Sequence, residues 1–341
     1  MKPFRLLALF VVASAAVAAA APSSAAAAGG PIITTAVPGG TGIESADGQF
    51  RYVTLDGDGS IVASVIEGTG EVDASTPIDD PDGGYFGIPQ VALDGSASGL
   101  SADGGTLVLI RSAGPIDQAK LIVLGTNKLR ILNRITLKGQ YSFDAISPDG
   151  RTAYVVEYPR RFRYDRYRVL KLDLQTGRLA KDPITDEDVG LEEEGEEAGG
   201  VEGEMRGLAL SRVSSDDGRW AYTLYDGGGD TPFIHALDTV GDRAVCIFMP
   251  QLDGVERKQI AKASIATGPE PGTISVVGRE DHESSELARV DTTSFAVTTP
   301  ASEVSESGAG MTAPLILAGT ALAGLGLGAV LLLRRRRAGQ D

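Results

Sequence analysis

Along the middle of the chain, short runs dense in apolar and β-branched residues recur, and each follows a small polar turn. SADGQFRYVTL starts at residue 45, SADGGTLVLIR at 101, SPDGRTAYVVE at 147, SDDGRWAYTLY at 215 and the looser GPEPGTISVVG at 268. The turn glycines Gly48, Gly104, Gly150, Gly218 and Gly272 lie 56, 46, 68 and 54 residues apart, so one supersecondary unit is being repeated. In FDAISPDGRTAYVVEY the segment before Pro148 predicts a short strand. Asp149-Gly150 supplies the turn with a positive backbone angle, and TAYVV predicts the next strand. YRVLKLDLQTGRL from residue 167 adds a third strand, a Thr-Gly turn and the start of a fourth. KLIVLGTNKLRIL at 120, PFIHALDTVGDRAV at 232 and SELARVDTTSFAV at 285 fill the third-strand place in other copies. A small sheet that is apolar on both faces must be covered on both, and a ring of such sheets achieves this without long free edges. The expected fold is therefore all-β, a β-propeller over residues 42–298. Five blades are counted, starting near Gly42, Gly95, Tyr141, Met205 and Ala263, and the gaps leave room for six or seven. GPIITTAV, within residues 29–41, supplies a strand that could close the ring against the last blade.

The two ends follow different patterns. Residues 1–28 have the order of a secretory signal: a basic start at Lys2 and Arg5, an apolar run from Leu6, then small residues up to Ala28. At the other end, residues 313–333, from Ala313 to Leu333, carry no charge over 21 positions. As a helix they would reach about 31 Å, the thickness of a bilayer core. The four arginines at 334–337 then predict a cytoplasmic C-terminus, with residues 334–341 as a basic tail and everything before Ala313 outside. Residues 299–312, rich in Ser, Thr and Gly, read as a stalk. Gly324 and Gly328 form a G-x-x-x-G face through which two membrane helices could self-associate. The expected arrangement is a single-pass protein of the cell membrane with its propeller outside.

Within this frame, Ser147-Pro148-Asp149-Gly150, Tyr154-Val155 and Asp173 to Thr176-Gly177 form one pattern. A second copy stands at Asp217-Gly218, Tyr222 and Asp238-Thr239. This resembles the YVTN-type, tryptophan-aspartate-repeat-like propeller repeats of exported bacterial proteins. The resemblance covers roughly residues 42–297 and implies a propeller fold. It implies no activity, since related propellers bind, scaffold or occasionally catalyse.

The charge of the chain is −15, and without the leader and the basic tail the exported part carries about −20, which disfavours nucleic acid as a partner. Cys246, the single cysteine, sits in the apolar run AVCIFM and reads as a small buried hydrophobe. Two insertions break the repeat. Residues 158–168, YPRRFRYDRYR, join the second and third strands of one blade, and residues 185–204, with ten carboxylates, lead to the next. Loops of these two kinds leave a blade on the face opposite the Asp-Gly turns. Arg160, Arg161, Arg163, Tyr164, Arg166, Tyr167 and Arg168 are therefore the candidate binding residues. Their guanidinium forks and aromatic faces suit an anionic envelope polymer or another surface protein. The competing expectation is that the two loops neutralise each other.

DGDGS at 56–60 and DDPDG at 79–83 read as turns, because neither completes a calcium loop with its closing glutamate. His235 reads as a strand residue and His282 as solvated. No catalytic motif, metal site or cofactor site is expected. The expected function is a binding or scaffold module at the cell surface. The alternatives are a propeller-type hydrolase or lactonase acting in the central channel, and the ectodomain subunit of a membrane complex.

Overall fold

The computed structural model describes residues 42–57, 59–111, 117–159, 166–184, 186–189, 204–280 and 283–300. Residues 1–41 and 301–341, and with them the leader, the stalk, the 313–333 segment, Gly324 and Gly328, lie outside the described residues. Among the described residues no helix is long and apolar enough to cross a membrane.

The described chain is almost entirely β and forms five sheets in chain order. The first holds β1 (Ile43–Glu44), β2 (Phe50–Gly57), β3 (Gly59–Ile66) and β4 (Val72–Ile78). The second holds β5 (Phe86–Gly87), β6 (Thr106–Arg111), β7 (Gln118–Gly125) and β8 (Arg130–Lys138). In the third, β9 (Tyr141–Ile146), β10 (Thr152–Glu157) and β11 (Arg166–Asp173) come first in sequence. The chain then passes β12 (Asp186–Val189), and β13 (Met205–Arg206) completes the third sheet beside β11. The fourth comprises β14 (Ala209–Ser214), β15 (Trp220–Tyr225), β16 (Phe233–Asp238) and β17 (Arg243–Phe248), with β12 added parallel to β17. The fifth holds β18 (Ser264–Thr267), β19 (Thr273–Glu280), β20 (Glu283–Asp291) and β21 (Val297–Thr298). All other strand pairings are antiparallel and, apart from β11 with β13, join successive strands.

Four apolar clusters join neighbouring sheets face to face. Val62, Ile78, Leu107 and Ile122 join the first to the second, and Val108, Phe143, Val155 and Leu172 the second to the third. Tyr154, Val169, Tyr225 and Leu237 join the third to the fourth, and Leu224, Ile247, Val276 and Val290 the fourth to the fifth. Central strands such as β6 and β10 are covered on both faces, so they read as nearly continuous apolar runs. Residues of β1, β9 and β14, together with residues 97–102 between β5 and β6, line one shared cavity, so the first four blades converge there. These are propeller blades in succession.

Two boundaries differ from the expected ones. The second sheet begins at Phe86 and not near Gly95, because residues 88–98 form an excursion from its first strand that is bridged at Gln90 and Ala97. Met205 closes the third blade, and the fourth opens at Ala209. Residues 60–95, where a sixth degenerate blade had room, hold none: β3 and β4 are the outer strands of the first blade, and Phe86 already opens the second.

The repeated turn has one hydrogen-bond scheme. Ser45, Ser101, Ser147 and Ser215 each donate to Asp47, Asp103, Asp149 and Asp217 respectively, at 2.6–2.7 Å. The same serine oxygens accept the backbone N–H of Phe50, Thr106, Thr152 and Trp220. The glycine is obligatory at Gly150: its φ is +66°, and a Cβ there would lie 2.3 Å from Thr106 Oγ1 of the preceding blade.

Four residues after the glycine stands the tyrosine of the pattern, and it ties its blade to the next one. The Tyr154 hydroxyl lies 2.6 Å from Asp242 Oδ1 and 3.0 Å from the Thr239 carbonyl, both in the β16–β17 turn. Tyr52 likewise reaches the next blade, through a hydrogen bond with the Thr126 side chain of the second, and Tyr222 does so with the Thr292 side chain of the fifth. Each of these threonines donates back to the turn glycine of its own blade, at Gly104, Gly218 and Gly272. Val108 and Val276 replace the tyrosine in the other two blades and pack in the apolar clusters.

Tyr154→Phe removes a buried hydroxyl and leaves a carbonyl without its donor. It should cost about 1–2 kcal/mol in denaturant unfolding. Acid should also loosen the blades. Burial works to raise the Asp238 carboxyl, but Arg219 and the Val240 and Gly241 N–H groups outweigh it and hold it down to about 2. Asp80 is likewise held low, with Lys120 and Arg111 outweighing burial. Both carboxyls bind protons more weakly in the folded than in the unfolded chain. Their stabilisation is complete above pH about 4 and lost as the pH falls toward 2. Thermal melts across that window should show a steady fall in midpoint.

Candidate binding site

The loops that join second to third strands, and the connectors between blades, share one face. On it, Asp226 fixes a run of three glycines by accepting from Gly228 N–H at 2.9 Å and from Leu208 N–H at 2.7 Å. Gly228 has φ +63° and Gly229 φ +111°, values that a side-chain-bearing residue would resist. The connector from β17 to β18 crosses beside this loop, and its short helix α1 (Arg257–Ile260) lets Arg257 donate to the Gly229 carbonyl at 3.0 Å. Between loop and connector opens a cavity of about 490 Å³. Pro232, Leu252, Val255 and Ile260 give it apolar walls, while Asp230 and Asp253 bring carboxylates. Arg206 forms an ion pair with Asp230. Such a cavity, part apolar and part carboxylate, can seat a partner side chain with a hydrocarbon stem and a polar or cationic head.

The propeller axis is built differently. The excursion at residues 88–98 crosses to the fourth blade, where Leu93 and Asp94 N–H donate to the Ala209 and Leu210 carbonyls at 2.9 and 3.1 Å. Beside it, Asp144 of β9 and Arg212 of β14 form an ion pair with side chains only 3% and 4% exposed. Arg212 also donates to the Asp144 carbonyl at 3.2 Å. On the loop side, Asp144, Tyr158, Tyr167 and Tyr225 line a cavity of about 40 Å³. On the side of the Asp-Gly turns, a second cavity of about 210 Å³ opens among Glu44, Ser101, Ser214 and Asp216. Burial pushes Tyr167 and Tyr225 well above the ordinary phenol range, so both stay neutral.

Of the expected binding residues, Arg160, Arg161, Arg163 and Tyr164 lie outside the described residues. Strand β11 begins at Arg166, so the last three belong to a sheet and not to a loop. Tyr167 is buried and stacks on Tyr225 with ring centres 5.5 Å apart, so it cannot meet a partner at the surface. Arg168 Nε bonds Glu157 at 2.5 Å. Arg166 reaches Glu204 at 3.2 Å, which joins the basic insertion to the end of the acidic one. The rest of the acidic insertion is described only at β12, on the outer edge of the fourth sheet.

His235 and Cys246 are buried in β16 and β17, and His282 lies outside the described residues. In DDPDG, Asp80 accepts from Arg111 at 2.9 Å and from Lys120 at 2.8 Å, so that turn is already served by two cations. Among the described residues no three metal-ligating side chains converge.

No protein-family model matches this chain, and no curated protein does. Solved structures similar to it include TolB from Acinetobacter baumannii, at 13% identity and a TM-score of 0.38 over 74% of this chain and 52% of that one. The chain thus spans about half the length of that protein. Another is a putative TolB from Agrobacterium tumefaciens, at 15% identity and 0.38 over 75% and 78% of the two chains. A third, a functionally unknown protein from Desulfotomaculum acetoxidans, has 13% identity and 0.44 over 75% and 67%. Scores this low carry no argument about activity, and the fold rests on the sheets themselves.

The axial ion pair makes an asymmetric prediction. Arg212→Met alone strands a buried carboxylate and should cost about 3–5 kcal/mol. Asp144→Leu together with Arg212→Met removes both charges, and chemical denaturation should show most of that loss recovered.

Proposed function

We propose that this chain is a binding or scaffold module of the cell surface, held at the membrane through residues 313–333, that meets its partner on the loop face. The observation that carries this reading is the cavity of about 490 Å³ between the fourth-blade loop and the β17–β18 connector. It is wide enough for a side chain and open on the face where the insertions emerge. Arg160, Arg161 and Arg163 stand in the sequence between β10 and β11, and their charge, unlike that of the carboxylate-lined cavity, suits an anionic envelope polymer or an acidic surface protein. The hydrolase alternative asks for a substrate-wide channel with two free carboxylates. On the loop side, the axis has instead about 40 Å³ beside one carboxylate already paired with Arg212.

A photo-crosslinking residue placed at Asp253, on the full chain in intact cells, should capture a second component of the envelope. The same residue at Asp216, on the Asp-Gly turn face, should capture much less. Capture from position 216 alone would overturn the face assignment, and recovery of nothing but the chain itself from both would overturn the binding reading. Replacing Arg160, Arg161, Arg163, Arg166 and Arg168 with alanine should weaken sedimentation with envelope fractions if the partner is anionic.

A further inference from the structure

The Asp144–Arg212 pair is incompletely satisfied. Asp144 spends Oδ1 on Arg212 and Arg212 spends Nη1 and Nη2 on Asp144, yet Asp144 Oδ2 and Arg212 Nε are buried without a hydrogen-bond partner. A buried carboxylate oxygen left bare costs more than most native structures tolerate, so each such atom asks what meets it. Asp144 also lines the 40 Å³ cavity. A water needs roughly 10–15 Å³ of such volume, and a cavity that binds benzene is nearer 150 Å³, so the space is of water size. Charge narrows the occupant further. Asp144 on the wall repels an anion, and Arg212 already balances its charge, so a cation gains little there; that leaves a small neutral molecule that can both donate and accept. The surroundings suit that choice: Ser142 Oγ and the Tyr158 hydroxyl lie 3.2 Å apart on the same wall, and Tyr167 and Tyr225 flank them.

We propose that this cavity is a hydration site, in which one to three buried waters donate to Asp144 Oδ2 and complete the axial ion pair as a hydrated plug. The ion pair separates this hydrated cavity from the turn-side one, since Ser142 to Asp144 of β9 line the first and Ala145 and Ile146 the second, so the propeller axis is a closed, wet centre and not a passage for ligands. The inference is independent of any partner on the loop face.

Crystals of the full chain that show ordered solvent should hold density about 2.6–3.0 Å from Asp144 Oδ2. Under xenon pressure the cavity should take up no xenon, because a polar, hydrated cavity excludes it where a dry apolar one does not. Water-oxygen relaxation dispersion should count roughly one to three slowly exchanging waters more in the wild type than in the Asp144→Leu, Arg212→Met double variant. An empty or xenon-filled cavity, or equal water counts in the two proteins, overturns the proposal. If the double variant fails to fold, the wild-type density and the xenon result decide it alone.

Discussion

The structure depends on the contact between a tyrosine of one blade and the outer turn of the next. Stacked four-stranded sheets share only apolar faces, and apolar contact is non-directional, so by itself it would let neighbouring blades slide. The Tyr154 hydroxyl removes that freedom by fixing its height against Thr239 and Asp242 of the following blade. The returning bonds from Thr126, Thr239 and Thr292 to Gly104, Gly218 and Gly272 hold the receiving turns in place within their own blades. Where the tyrosine is replaced by Val108 or Val276, the register rests on packing instead.

This constraint divides the molecule into two faces with different chemistry. The Asp-Gly turns and the outer turns that receive the tyrosines share one face, and their serines, aspartates and threonines are largely occupied with one another. The opposite face carries the loops that nothing in the repeat specifies, so it can vary without unsettling the blades. Its main described feature, the cavity beside Asp253, is framed by a glycine run and a short connector helix and not by repeat residues. The axis belongs to neither face. There a buried acid and base, joined across two blades, favour one alignment of β9 with β14, at a desolvation cost that apolar residues would not incur.

Much of the fold was legible in the sequence because repetition multiplies a weak signal. One Ser-x-Asp-Gly turn predicts a hairpin, whereas four at blade-length spacing predict an architecture. The third strands around residues 120, 167, 232 and 285 follow from the same logic. The signal failed where the repeat was interrupted by chain that still looks like strand or turn. Residues 88–98 share the composition of a blade strand, yet they fold out of their sheet because Leu93 and Asp94 find partners on β14. Met205 was expected at the start of the fourth blade, and pairing with Tyr167 assigns it to the third. Tyr167 itself sits among arginines in the sequence, and only the onset of β11 turns it inward.

By itself the sequence determined the unit: a turn with its glycine, the strands on either side, and the tyrosine four residues on. These are local consequences of backbone sterics and short-range hydrogen bonding, which a string of residues records directly. The tertiary structure decided which distant groups meet. Asp144 and Arg212 stand 68 residues apart, each the charged exception in a short, mostly apolar strand, and only the circling of the blades makes them a pair. The loop-face cavity likewise joins residues 226–232 to residues 252–261, whose separate chemistry is that of ordinary loops. A repeat fixes what each blade is, but contacts across the axis and between loops depend on how many blades precede them and how each is turned.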